Sequence, residues 1–264
     1  RRIIWKQTIL SGNFQNGIKK LLDENIINPS DSSRKVERLI FEASTDPAIT
    51  GLTVDAQFTG DNLYDAIKKL CDSKNIGFRI KLSDDNKFVF KLYAGEDHSY
   101  DQFTNPYVIF SPKFENVINT NYLESKKTLK TVTLVAGEGE GADRKTTTVA
   151  CSSGAGTGLN RRELYTDARD VSSTVDNETL TDSEYKAQLS QRGLENLSEN
   201  IATKSFEGKV ETTRMYRYGE DFFLGDMVQI VNEYGIEGKA RVTEFIRSQS
   251  KEGLDSYPTF VTVE

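Results

Sequence analysis

An internal repeat constrains this chain more than any other feature: residues 13–23 read NFQNGIKKLLD and residues 62–72 read NLYDAIKKLCD, with six positions identical. Apolar residues recur at the same helical spacing in both, Phe14, Ile18, Leu21 and Leu22 in the first and Leu63, Ile67, Leu70 and Cys71 in the second. That is the stripe of an amphipathic helix with one buried face. Lys19-Lys20 and Lys68-Lys69 flank the stripe and read as solvated face. Each helix then runs through an Asn-Ile step, Asn25-Ile26 or Asn75-Ile76, towards extended structure, and Gly77 suits the second exit. Two amphipathic helices can coincide by chance. The agreement of Asn, Lys and Asp along with the stripe favours duplication of a helix-plus-strand module.

Strand signals dominate the remainder. Arg2 to Lys6 reads as a strand already under way, and with no initiator Met it predicts an excised fragment, simple renumbering being the alternative. Residues 78–82 and 87–93 bracket Asp84-Asp85-Asn86 as a hairpin. Strands are predicted at 107–110, 117–123, 129–136, 145–150, 161–167, 205–215, 227–233, 238–248 and 257–263. The glycine-rich loops GEGEGADR (137–144) and SSGAGTG (152–158) lie among them, with too few apolar anchors to hold themselves in order. Thr181-Asp182-Ser183-Glu184 is a capping box that opens a helix ending before Phe206, with Tyr185, Leu189, Leu197 and Ile201 on its buried face. Gly225, in Leu224-Gly225-Asp226, is expected at positive φ before the apolar run that follows. The fold class is α+β, predominantly antiparallel β. We read an α+β domain over 1–103 containing both repeats, then a β-barrel-like domain over 104–264 with one long helix near 181–203.

Charge and composition narrow the function. The 40 acids outweigh the 34 Lys and Arg, a net charge of −6 without long single-sign blocks, which argues against a nucleic-acid surface. No apolar stretch approaches the roughly 20 residues that span a bilayer. Cys71 and Cys151 lie in unlike contexts and do not form a disulfide framework, which fits folding in a reducing cytoplasm. His98 is the sole histidine, so a nucleophilic triad would have to use it, and in Gly95-Glu96-Asp97-His98-Ser99 it reads as a loop residue. Cys71, Cys151 and His98 lack zinc spacing. Asp84-Asp85-Asn86 and Asp176-Asn177-Glu178 offer too few oxygens in register for calcium and read as turns. Gly154, Gly156 and Gly158 lack the Lys-Ser/Thr pair and βα context of a phosphate loop. We therefore assign no catalytic, cofactor-binding or metal residues and expect a non-enzymatic structural module. The alternative is a cell-wall carbohydrate-binding or hydrolase module, which needs paired carboxylates beside exposed aromatics.

Several segments carry a family resemblance: the GIKKLLD/AIKKLCD helices, NIINPSDSSRK (25–35), NPYVIFSPKFENVINTNYLESKKTLKTVTLVAGEGEG (105–141), RRELYTDARD (161–170) and YGEDFFLGDMVQIVNEYG (218–235). Together they resemble the tail-tip hub proteins of siphophages, and more narrowly the Gp-type Siphovirus tail proteins of prophages in gut Gram-positive bacteria. The resemblance spans essentially the whole chain, and its motifs are structural. It implies a baseplate hub, commonly trimeric, located in the virion tail. The implied partners are the distal tail ring, the tape-measure protein and receptor-binding or fibre proteins.

Overall fold

A computed structural model of the chain describes residues 2–175, 178–210, 215–235, 237–251 and 253–263. In chain order the first strands are β1 (Thr8–Asn13), β2 (Leu39–Glu42), β3 (Thr53–Phe58), β4 (Gly77–Leu82) and β5 (Phe88–Tyr93). Next come β6 (Asp97–His98), β7 (Ile109–Phe110), β8 (Val117–Ser125), β9 (Val132–Ala136), β10 (Thr146–Ala150) and β11 (Glu163–Asp167). The last are β12 (Thr174–Val175), β13 (Glu178–Thr179), β14 (Thr203–Val210), β15 (Met227–Val231), β16 (Glu237–Ser250) and β17 (Gly253–Val263). The α-helices are α1 (Phe14–Leu22), α2 (Pro47–Thr50), α3 (Leu63–Ser73) and α4 (Asp182–Glu199).

Two compact units divide these elements, one formed by residues 1–93 with 129–201, the other by 94–128 with 202–264. The sequence boundary at 103/104 is thus replaced by an interleaved division. The predicted barrel-side strands β9–β11 and the long helix belong with the repeats, because α4 packs on β3, β9, β10 and α3.

In the first unit the repeat is visible in the backbone. Asn13 and Asn62 cap α1 and α3 from nearly the same extended conformation, each accepting a first-turn amide on its side-chain oxygen. β1 and β3 pair antiparallel from Thr8↔Phe58 to Asn13↔Thr53, and an isolated bridge joins Ile3 to Asn62. The first helical amide of each copy reaches the other copy's approach segment: Phe14 N donates to the Leu52 carbonyl at 2.9 Å and Leu63 N to the Arg2 carbonyl at 2.9 Å. The strands that follow the helices, β2 and β4, flank β5 on opposite sides, parallel and antiparallel respectively. The β1–β3 pairing and the exchanged helix-start amides are thus reciprocal between the two copies, whereas the strands that follow the helices pair with β5 in opposite senses. Gly17 of α1 lies so close to β1 and β3 that an added Cβ would stand 3.0 Å from Val54 Cγ1; Ala66, four residues into α3, is also buried. The expected strand over Arg2 to Lys6 reduces to the Ile3 bridge and the bonds Ile4 N to Asp61 O and Gly60 N to Ile4 O.

The second layer of this unit is the sheet β10-β9-β11, with β11 parallel to β9, and α4 lies across it. The Thr181–Glu184 capping box forms as predicted. Tyr185, Leu189 and Leu197 are buried, whereas Ile201 lies beyond the helix end and is 54% exposed. Gly193 permits the close approach: a Cβ there would stand 2.8 Å from Val135 Cγ2 and 2.9 Å from Val149 Cγ2. The 137–144 loop, expected to be unable to hold itself, is tied down. Arg144 donates to the carbonyls of Ala136 and Gly137, to Tyr165 Oη and to Asp167 Oδ1.

The second unit is a seven-stranded sheet in the order β6-β15-β16-β17-β14-β8, with β7 also on β15. No described pairing joins β8 back to β6, so the expected barrel is an open sheet among the described residues. Its core gathers Phe110, Phe222, Val228, Ile230, Val242 and Phe260, with the Phe110 ring touching those of Phe222, Phe260 and Tyr216. The predicted strand over 205–215 runs partly outside the described residues. Gly225 has φ +94 as expected, and its amide and carbonyl are both engaged, by the Val242 carbonyl and the Arg241 guanidinium.

Because the two Asn caps do the same work, Asn13→Ala and Asn62→Ala are each expected to cost about 1 kcal/mol in urea unfolding. A cap whose removal leaves the unfolding midpoint unchanged would break the equivalence. Gly225→Val forces a β-branched residue into the left-handed region and is expected to cost about 1–3 kcal/mol, read as a lowered melting temperature.

Candidate functional site

Within the first unit, α3 and α4 border a polar pocket of about 390 Å³. Asp65, Lys68 and Lys69 reach it from α3 and Arg192, Glu195 and Glu199 from α4. Helical spacing sets these charges: 65, 68 and 69 fall on one face of α3, and 192, 195 and 199 on one face of α4. Lys69 Nζ and Glu199 Oε1 form an ion pair 3.4 Å long between the helices.

Glu195 is the unusual member, 1% exposed. Gln191 Nε2 donates to its Oε1 at 3.2 Å, and Arg192 Nε lies 3.7 Å from its Oε2. The Arg192 guanidinium is shared, donating to Asp170 Oδ2 at 2.9 Å and to the Gln57 carbonyl at 3.3 Å. Burial pushes the Glu195 carboxyl up to about 7, with Arg192 and the Gln191 hydrogen bond opposing. A carboxyl that keeps its proton near neutrality has the profile of a general acid. Here, however, its hydrogen bond ties it to α4's own Gln191, which also donates to Ser73 Oγ of α3 at 3.2 Å. Of the pocket's lining, only Phe58 is aromatic, so no sugar platform accompanies the carboxylates. The arrangement braces two helices. Nothing in the sequence distinguished Glu195 from the other acids beyond its helical spacing to Arg192.

The residues singled out in the sequence are dispersed. His98 is buried on β6, its Nδ1 donating to the Pro106 carbonyl at 2.8 Å, with Asp226 Oδ2 3.6 Å and Glu96 Oε2 3.9 Å from Nε2. It fastens a loop rather than lying loose in one. Cys71 is buried on α3 and its thiol is pushed up to about 12 by burial; Cys151 is partly exposed, and both are free. Asp84-Asp85-Asn86 forms the β4–β5 turn, with Asn86 at φ +60 and the Asp85 carboxyl held below its usual range by hydrogen bonds from Lys87 and Ser83. Of the triplet at 176–178, Asp176 and Asn177 lie outside the described residues. Gly154, Gly156 and Gly158 all have positive φ in the loop after β10, followed by a single 3-10 turn. Among the described residues no group of three or more His, Cys, Asp or Glu side chains is gathered as metal ligands. No helix among them is long and apolar enough to cross a membrane.

A second feature of the first unit is a sheet face. Residues opposite each other in β2-β5-β4 share a face, and one face is built entirely of apolar side chains. It comprises Leu39 and Phe41 of β2, Phe88, Phe90 and Leu92 of β5, and Phe78, Ile80 and Leu82 of β4. The rings of Phe41 and Phe78 stack on either side of Phe90, at 5.9 and 5.5 Å. Towards the β4–β5 turn the face is uncovered: Ile80 is 54%, Leu82 62% and Phe88 44% exposed. Contiguous exposed apolar surface of this kind marks an interaction site.

Two measurements probe these sites. Burial makes Glu195 bind its proton more tightly folded than unfolded, so the stability it allows is greatest below about pH 4.5 and declines as pH rises to about 7. Glu195→Gln is expected to abolish that decline. Between about pH 5 and about pH 8 the wild type should lose on the order of 2–3 kcal/mol more than the variant in urea unfolding. Parallel pH profiles would show that Glu195 does not titrate there. In thiol counting with a soluble aromatic disulfide, the native chain should react rapidly at Cys151 alone and the unfolded chain at both cysteines.

No curated protein matches the sequence. The 43 kDa tail protein of prophage MuSo2 from Shewanella oneidensis aligns in structure with TM-score 0.49 at 11% identity, covering 97% of this chain and 67% of that one. A tail protein from Neisseria meningitidis MC58 gives TM-score 0.48 at 12% identity over 98% of this chain and 70% of that one. Prophage tail protein gp18 from Listeria monocytogenes EGD-e gives TM-score 0.48 at 12% identity over 98% and 67%. Residues 1–260, nearly the whole chain, match the family of Siphovirus ReqiPepy6 Gp37-like proteins, and the chain belongs to that family.

Proposed function

We propose that this chain is a structural component of the phage tail tip, a hub-like protein that joins the tail tube to the distal attachment apparatus. Family membership over residues 1–260 supports a siphovirus role. The observation that carries the structural reading is the uncovered apolar face of β2-β5-β4, where Ile80, Leu82 and Phe88 form a surface suited to a protein neighbour. Its partners on this reading are other tail proteins, the distal tail ring, the tape-measure protein and receptor-binding or fibre proteins, and its full assembly is a trimer. On this reading the chain is not an enzyme, and Glu195, the buried carboxyl of the pocket, braces α4 through Gln191 and Arg192.

The test is made on particles from an induced lysogen. The chain should be found by mass spectrometry in purified tails, and Leu82→Glu should leave the melting temperature of the isolated protein within a few degrees while sharply reducing its incorporation. Intact, infective tails that lack the chain would overturn the structural reading. Release of soluble fragments from peptidoglycan by the purified chain, abolished by Glu195→Gln, would establish the hydrolase alternative in its place.

A further inference from the structure

The segment 94–110 of the second unit crosses β15 twice, as β6 and as β7, and between them it throws out a loop whose tip is Phe103, 92% exposed. An aromatic side chain this open is ordinarily a sign of a loose loop. This loop is braced from within. Gln102 accepts on Oε1 from the amides of Thr104 and Asn105 at 2.7 and 2.6 Å and donates from Nε2 to the carbonyls of Ser99 and Asn105 at 3.2 and 3.0 Å. Asn105 Nδ2 donates to the Asp97 carbonyl at 3.0 Å, and His98 Nδ1 to the Pro106 carbonyl at 2.8 Å. At the outer side Lys239 of β16 pairs with Asp101 at 2.7 Å. The root is locked as well, since a Cβ on Gly95 would stand 2.2 Å from the Gly225 carbonyl oxygen.

We propose that Phe103, presented by this braced loop, is an anchor that enters an apolar pocket with a basic rim on a protein other than this chain. With the loop held in place before binding, only the two side-chain torsions of Phe103 remain to be ordered on contact, which is how single aromatic residues come to dominate an interface. The charge around it specifies the rim: residues 94–107 contain Glu96, Asp97 and Asp101 and no Lys or Arg, and the neighbouring Lys239 offsets Asp101 alone, leaving the segment net negative through Glu96 and Asp97. Complementarity therefore calls for a cationic collar. The chain's own net charge of −6 disfavours a second copy as the partner. A glycan is disfavoured too, because Phe103 offers no hydrogen bond and the adjacent Tyr100 and Tyr107 rings meet edge-on at 82° rather than as a flat platform. The proposal deepens the tail-assembly reading, which would name the protein concerned.

The test installs p-benzoylphenylalanine at position 103 of the full chain and irradiates induced cells before lysis, so that capture does not depend on the chain reaching a tail. A matching probe at position 159, where Leu159 is 98% exposed, serves as the surface control. One adduct to a different protein is expected at 103 and not at 159, reduced several-fold by Glu96→Lys, with the melting temperature of each variant confirming its fold. An adduct of two copies of this chain, a polysaccharide adduct, the same adducts at both positions, insensitivity to Glu96→Lys, or no adduct would each overturn the proposal. Tails purified from the same cells and lacking the chain would count against the proposed function, independently of the adduct.

Discussion

The antiparallel pairing of β1 with β3 is the constraint on which the first unit depends. Each strand delivers the chain directly, or within a few residues, to an Asn cap and then to an amphipathic helix, and the first helical amide of each copy is satisfied by a carbonyl of the other. Four orphan amides at a helix start are costly when buried without partners. Here cap and cross-strand bond together meet part of that demand twice over. Because the contacts are reciprocal, a shift of register in one copy would displace the caps of both.

Where the third long helix packs, the limiting quantity is distance. α4 lies on β9 and β10 closely enough that Gly193 has no room for a methyl group, and the Tyr185 hydroxyl both donates to the Val171 carbonyl and accepts from the Glu138 amide. Glu195, Arg192 and Gln191 follow on the side of the helix towards α3 and β3. The polar brace there stores a proton-sensitive group in a place where apolar packing would have been simpler. Breaking a buried pair is costly even where the pair itself adds little, so the arrangement favours one seating of α4 over others.

The second unit depends on β15. It receives β16 on one edge and the short parallel strands β6 and β7 on the other, so the segment 94–110 is attached at two points with the Phe103 loop between them. Asp226, buried just before β15, holds this edge by accepting the amides of Glu96 and Phe223 on separate oxygens, at 2.8 and 2.7 Å. Burial raises its carboxyl above the ordinary value, with those two amides pulling the other way. A long hairpin, β16 and β17, runs on past its flanking partners: among the described residues β14 pairs with β17 at Phe260 and Val261.

Much of the local structure was legible in the sequence because its causes are local. The stripes of α1 and α3, the Thr181–Glu184 box, the Asp84-Asp85-Asn86 turn and the positive φ of Gly225 each follow from neighbours within a few residues. The α+β class and the rough positions of most strands follow in the same way. What only the tertiary structure decided was partnership. Strand edges are alike in sequence, so nothing in residues 129–201 announced that they return to the first unit, nor that β6 and β7 lie parallel to a strand more than a hundred residues away. The same reason hid the sites. A glutamate at 195 and a phenylalanine at 103 look ordinary in a chain with 40 acids and 14 phenylalanines, and only packing puts the first in the interior and the second in solvent.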